Sequence, residues 1–240
     1  AAFMLARSLS KAWLRRRHWG LLDSLYVERV LGAGPKVVAI GGGTGLPTLL
    51  RGLKHYTSNI TAVVTVADDG GSSGRLRSEL GIPPPGDIRN CLVTLADSEA
   101  VMQQLMDYRF ATNGQLDGHS LGNMLIAATT RIAGDFYQGV VMAGELLAIR
   151  GRVVPSTSTD VTLVGSTVSG QRLIGESQVG KANERLESVA LAPPDAPAHP
   201  EAKKAIEEAD LIILGPGSLF TSIVPNLLVR EIATAVASAR

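Results

Sequence analysis

The sequence holds a single cysteine, Cys91, among 240 residues. A disulfide within the chain is impossible, which fits a reducing compartment. Within "IRNCLVTLA" the thiol reads as a small buried side chain rather than a nucleophile. Aromatic residues are scarce, at 4%. No window of about 18 uninterrupted apolar residues occurs, so no transmembrane helix is expected. Strong net charge is missing too, since the formal total is +1. That total hides an asymmetry, because residues 1–34 carry +4 and the remainder −3. Bulk charge therefore excludes the body of the chain as a nucleic-acid binder. The first residue is Ala rather than Met, and the chain is read as a piece of a longer protein.

Residues 1–34 read as a basic N-terminal extension. Leu5, Leu9 and Trp13 recur at helical spacing beside Arg15, Arg16 and Arg17. Two readings stand: a helix lying on a membrane surface, or an ordinary helix or tail packed on the domain. Leu31 to Lys36, "LGAGPK", reads as the linker that closes this segment.

What the chain does have is glycine, 26 of them. "KVVAI" reads as a buried strand that runs straight into "GGGTG". "LPTLLRGLKHY" follows with Leu46, Leu49, Leu50 and Leu53 on one helical face. "NITAVVTVA" is a second buried strand, and the unit implies a parallel right-handed crossover. Helices are expected near Ile88 to Leu95, from Ser98, after "GHSLG" and across "DFYQGVVMAGELLAIRG". From about 152 to 192 apolar and polar residues alternate, with a turn at Ser169-Gly170. That stretch reads as a small antiparallel β insertion. A buried strand, Leu211 to Leu214, then restores the earlier pattern. The fold class is α/β, a Rossmann-like, mostly parallel sheet with helices on both faces, over residues 35–240.

Three glycine-rich loops lie at strand ends or helix starts: residues 41–45, 70–75 and 215–218. Glycine lets backbone approach a phosphate, and helix N-termini supply free N–H donors. Gly42, Gly43, Thr44 and Gly45, then Gly70, Gly71, Ser72, Ser73 and Arg75, then Gly215, Gly217, Ser218 and Thr221 are the candidate cradle. The dinucleotide fingerprint G-x-G-x-x-G is not met, because Leu46 or Thr48 stands where its last glycine is needed. A complete P-loop is absent as well. Asp68 and Asp69 sit at the end of the second strand, where a ribose-binding acid would fall; the alternative is that Asp69 only caps the loop and Asp68 alone meets a ligand. Asp87, Arg89 and Asn90 follow a rigid proline turn; Asp87 reads either as a helix cap or as a site residue. "GHSLG" matches the nucleophile elbow G-x-S-x-G in letters, but no strand precedes it. The better reading is a helix entry presenting His119, Ser120 and Asn123 to a ligand, with a structural His119 as the alternative. Without a committed nucleophile–base pair, a non-catalytic binding protein is expected, and a transferase is the enzymatic alternative.

Five runs, "AIGGGTGLPTLLRGLK", "TAVVTVADDGGSSGRLR", "GIPPPGDIRNCLVTLAD", "GHSLGNMLIAA" and "ADLIILGPGSLFTSIVPNLL", occur in this order. Together they resemble the gluconeogenesis-factor branch of the CofD-like family, whose other branch is 2-phospho-L-lactate transferase. The resemblance implies a cytoplasmic bacterial regulator that binds UDP-sugars, notably UDP-N-acetylglucosamine. It implies a role in cell shape and peptidoglycan synthesis on gluconeogenic carbon sources. The transferase branch would instead pass a phospholactyl group to a deazaflavin with Mg²⁺. The family continues beyond the "PNLL" helix, so part of its domain is expected to be absent here. Arg75 and Arg89 would offset a diphosphate, and Asp68 would hold Mg²⁺ against it. No tightly bound organic cofactor and no nucleic-acid partner are expected; a homo-oligomer is.

Overall fold

The computed structural model describes residues 29–239. The membrane-contact reading of the extension falls on residues before these and lies outside the described ones. Leu31, by contrast, is buried in a 3-10 turn, Leu31–Ala33. Thr57 Oγ1 donates to Pro35 O at 2.9 Å, and Asn59 Nδ2 donates to Gly32 O and Gly34 O. The segment expected as a linker is therefore docked, because its carbonyls find partners on the domain.

The first half of the chain forms β1 (Val37–Gly41), α1 (Gly45–Leu53), β2 (Ile60–Val64), α2 (Gly71–Leu80), α3 (Gly86–Leu95), α4 (Glu99–Asp107), α5 (Leu121–Ala133) and α6 (Phe136–Leu146). The second half forms β3 (Arg152–Pro155), β4 (Thr162–Thr167), β5 (Arg172–Ile174), α7 (Glu176–Gly180), β6 (Leu186–Ala192), α8 (Pro200–Glu207) and β7 (Leu211–Leu214). A π-helical turn, Leu219–Ile223, then leads into α9 (Val224–Leu227) and α10 (Arg230–Ser238).

The main sheet is parallel throughout, in the order β3-β2-β1-β7. Every residue of β1 and β2 is buried, as parallel strands covered on both faces require. The chain steps from β1 through β2 to β3, then returns to lay β7 on the other side of β1. α1 packs on β1, and α8 packs on β2 and β3. Leu46 and Leu50 of α1 and Ile88, Leu92 and Leu95 of α3 are fully buried in the core. Each such side chain contributes roughly 1.5–3 kcal/mol by leaving water. Cys91 is buried among them, and burial pushes its thiol well above its ordinary pKa.

Two boundaries differ from expectation. Arg152–Pro155 belongs to the main sheet, where Thr61 pairs with Arg152, so the antiparallel insertion starts later, at β4. Four residues of strand are too few to show which sheet they join. β7 is a strand as expected, but Leu211 and Leu214 are 49% and 45% exposed. Among the described residues β7 pairs with β1 alone, which leaves these two side chains uncovered. The insertion itself is a three-stranded antiparallel sheet, β5-β4-β6, with Gly170 at φ +84° in the hairpin turn. Among the described residues no single helix is long and apolar enough to cross a membrane.

Candidate functional site

Strand order reverses between β1 and β7, and in parallel sheets ligands bind at that reversal, outside the carboxyl ends of the strands. Both glycine-rich strand-end loops meet there. Gly43 turns with φ +61°, a conformation that glycine adopts without strain. A Cβ on Gly45 would collide with Pro216 O and lie 3.0 Å from Gly217 N. The β1 loop therefore rests backbone to backbone on residues 215–217. Beneath them Asn226, wholly buried on α9, donates from Nδ2 to Gly41 O (3.0 Å) and Ser222 O (2.7 Å). Sequence reading passed over Asn226; its only signal was a polar residue inside the apolar run "IVPNLL". Asn226→Ala would remove one hydrogen bond from Gly41 O, which keeps the Thr65 N–H, and one from Ser222 O, about 0.5–1.5 kcal/mol for each. The expected result is a cooperative urea transition shifted to lower concentration; an unchanged midpoint would remove Asn226 as the clamp.

The carboxylates converge on the same edge. Asp87, in the first turn of α3, accepts from Gly43 N–H at 2.7 Å. A Cβ on Gly42 would sit 2.7 Å from Asp87 Oδ2, so the bare glycine makes room for this carboxylate. Burial, then the nearby charges of Asp68 and Glu176, raise the Asp87 pKa to about 6, against the lowering pull of Gly43 N–H. Asp68 accepts from Gly70 N–H at 2.9 Å, and Asp69 from Ser177 N–H at 2.9 Å. Oxygens of Asp68, Asp69 and Glu176 lie within 4.8 Å of one another. Burial, with Asp68 and Asp69 beside it, raises the Glu176 pKa despite its hydrogen bond with Thr221.

Glu176 was missed because it comes from the insertion, which sequence reading treated as a hairpin of its own. A partial signal was present: Gly175, Gly180 and Lys181 have P-loop spacing, but Ala182 stands where Ser or Thr is needed. The structure makes this stretch the short helix α7, and Asp69 occupies the Ser177 N–H. It is therefore a carboxylate carrier rather than a phosphate loop.

A second group of expected residues lies one layer deeper. Ser72, Ser73, Arg89, His119, Ser120 and Asn123 are all buried. Ser120 caps α5, accepting from Asn123 N–H (3.2 Å) and from Arg89 Nη1 (2.8 Å). With no exposed surface, it is no nucleophile. His119 Nδ1 lies 3.0 Å from Ser72 Oγ, and burial together with Arg75 lowers the His119 pKa. Arg89 also reaches Asn90 Oδ1 (2.7 Å) and Asp107 (3.3 Å). Arg75 is exposed and donates to Asp117 O (2.5 Å). Ser218 caps the π turn, its carbonyl accepting from Ser222 and Ile223. Thr44 and Asn90 line a cavity of about 320 Å³ with Arg51, Arg89 and Asp107.

A parallel α/β sheet with stacked glycine loops at its switch point defines a protein of the Rossmann-like class. The family model described as "2-phospho-L-lactate transferase CofD" matches residues 37–240. A protein from Nostoc sp. is 54% identical over 92% of this chain and 48% of its own length. "Gluconeogenesis factor" of Bacillus subtilis is 51% identical over 87% of this chain and 66% of its own. A crystal structure of a upf0052-family protein from Bacillus halodurans superposes with TM-score 0.82 at 50% identity, over 86% of this chain and 66% of that one. The chain belongs to the CofD family, in its gluconeogenesis-factor branch. It spans about half the length of the Nostoc relative.

Proposed function

We propose that this chain binds a nucleotide sugar, UDP-N-acetylglucosamine, and acts as a regulator of envelope synthesis rather than as a catalyst. The observation that carries this reading is the backbone stacking of the 42–45 and 215–217 loops opposite three clustered carboxylates. Amides at such loops suit a diphosphate, and hard carboxylate oxygens suit a divalent cation. Asp68, Asp69 and Glu176 would hold Mg²⁺, which neutralises phosphate charge when bound. The oxygen-only donor set and its spacing fit that ion. Asp87 would keep the β1 loop in place through Gly43, and no step of bond making is assigned to the ion or to these residues. Relatives named gluconeogenesis factor support the regulatory role. The name of the family model favours the second reading, a 2-phospho-L-lactate transferase type of activity.

The test is calorimetric titration of this chain with UDP-N-acetylglucosamine, with and without Mg²⁺. Binding that strengthens with Mg²⁺ is expected, and Asp68→Asn should abolish the metal dependence with little change in melting temperature. Surface-loop substitutions usually cost under ~0.5 kcal/mol. Absence of binding by the wild type would overturn the reading, and turnover of a deazaflavin substrate would replace it with the transferase.

A further inference from the structure

We infer that Arg89 and Asn123 are positioning residues that turn the Ser72 and Ser73 hydroxyls outward as donors. The inference rests on reading the cleft as an anion site. Arg89 and Asn123 are 8% and 2% exposed, and Arg89 Nη1 and the Asn123 amide are engaged with each other, with Ser120 and with the two serines. Their chemistry has a direction. A guanidinium can only donate. Arg89 Nη1 lies 3.3 Å from Asn123 Oδ1, so the amide oxygen must face it. The amide nitrogen must then face the serines, and it lies 3.1 Å from Ser72 Oγ and 3.4 Å from Ser73 Oγ. Each serine oxygen accepts there, and each hydroxyl proton is sent elsewhere.

For Ser72 a second polar neighbour is His119 Nδ1. For Ser73 the neighbour on the other side is the Gly86 backbone, with Asp68 beside it. Ser73 Oγ lies 2.5 Å, and Asp68 Oδ2 3.1 Å, from the point a Cβ on Gly86 would occupy. Ser73 and Asp68 thus flank the same bare backbone. The relay holds Ser73 as a donor, available to a phosphate oxygen alongside the first amides of α2. Without Arg89 the Asn123 amide could flip, and both serines could donate inward instead.

Asn123→Asp tests this directly. Its two carboxylate oxygens can only accept, so Arg89 keeps a partner while the serine hydroxyls are drawn inward. The experiment is a double-mutant cycle of wild type, Ser73→Ala, Asn123→Asp and the double variant. Each is titrated with UDP-N-acetylglucosamine in Mg²⁺ and melted without ligand. Loss of one donor to a charged group should weaken binding about tenfold or more. Asn123→Asp should do so with an unchanged or higher melting temperature, and the double variant should be no weaker than the worse single one. Wild-type affinity in Asn123→Asp would overturn the relay, as would losses that simply add, since added negative charge alone would produce those. Failure of the wild type to bind would overturn the anion-site reading and the relay with it.

Discussion

Gly45→Ala is expected to lower stability by about 1–3 kcal/mol, the usual cost of forcing atoms into a packed region. In a chain of this size that lowers the melting temperature by roughly 2–4 °C per kcal/mol. The new methyl would meet Pro216 O and Gly217 N. Both are backbone, so no flexible side chain can swing aside. The β1 loop would be lifted from the β7 loop, and the cradle would open between them. Ligand affinity should fall more steeply than stability. Gly52→Ala is the control, because that glycine lies in the same helix with nothing within 4 Å of its Cβ position. Alanine there should stabilise by up to about 1 kcal/mol. If both variants melt like the wild type, the two loops are not in firm contact and the switch-point cradle is wrong.

Asp87→Asn is expected to stabilise the ligand-free protein at pH 8 and to leave it unchanged near pH 4. The carboxyl titrates at about 6 in the folded chain against 3.8 as a free side chain. Burial is the leading cause, and Asp68 and Glu176 add to it. A raised folded pKa means that the protonated form is favoured by folding. Its contribution is full below the unfolded value and is lost as pH rises through about 6. A rise of that size corresponds to at most about 3 kcal/mol. Asparagine stays neutral and still accepts from Gly43 N–H, so it should escape that loss. Glu176 shifts in the same direction, whereas the lowered His119 and His199 act in the opposite one. The informative quantity is therefore the difference between variant and wild type, measured by urea unfolding at pH 8, 6 and 4. A difference that stays constant across that range would mean that Asp87 is not the group held near 6.

Much of the site was legible before any fold. The glycine runs, the Asp68-Asp69 pair and the proline turn into Asp87 are local signals. Backbone conformation and cap chemistry act over a few residues, so such features read directly from sequence. The same holds for β1, whose unbroken apolar run requires burial on both faces. Ser120 shows the limit. Its helix entry was legible, but its burial against Arg89 was not, because that contact joins residues 31 positions apart.

By itself, the sequence determined β1, β2, the entries to α1, α3 and α5, and the family, because each rests on local pattern or on motif order; it read Gly71 to Arg75 as loop where α2 runs, and it did not show α7. Only the tertiary structure decided that β7 pairs with β1 and that Asn226 reaches Gly41, 185 residues away. It alone brought Glu176 from the insertion to Asp68 and Asp69, and placed Arg89 and Asn123 behind the cradle rather than in it. The physical reason is the same in each case. Sheet order, burial and charge proximity depend on which distant segments the crossovers bring together, and no window along the chain contains both partners.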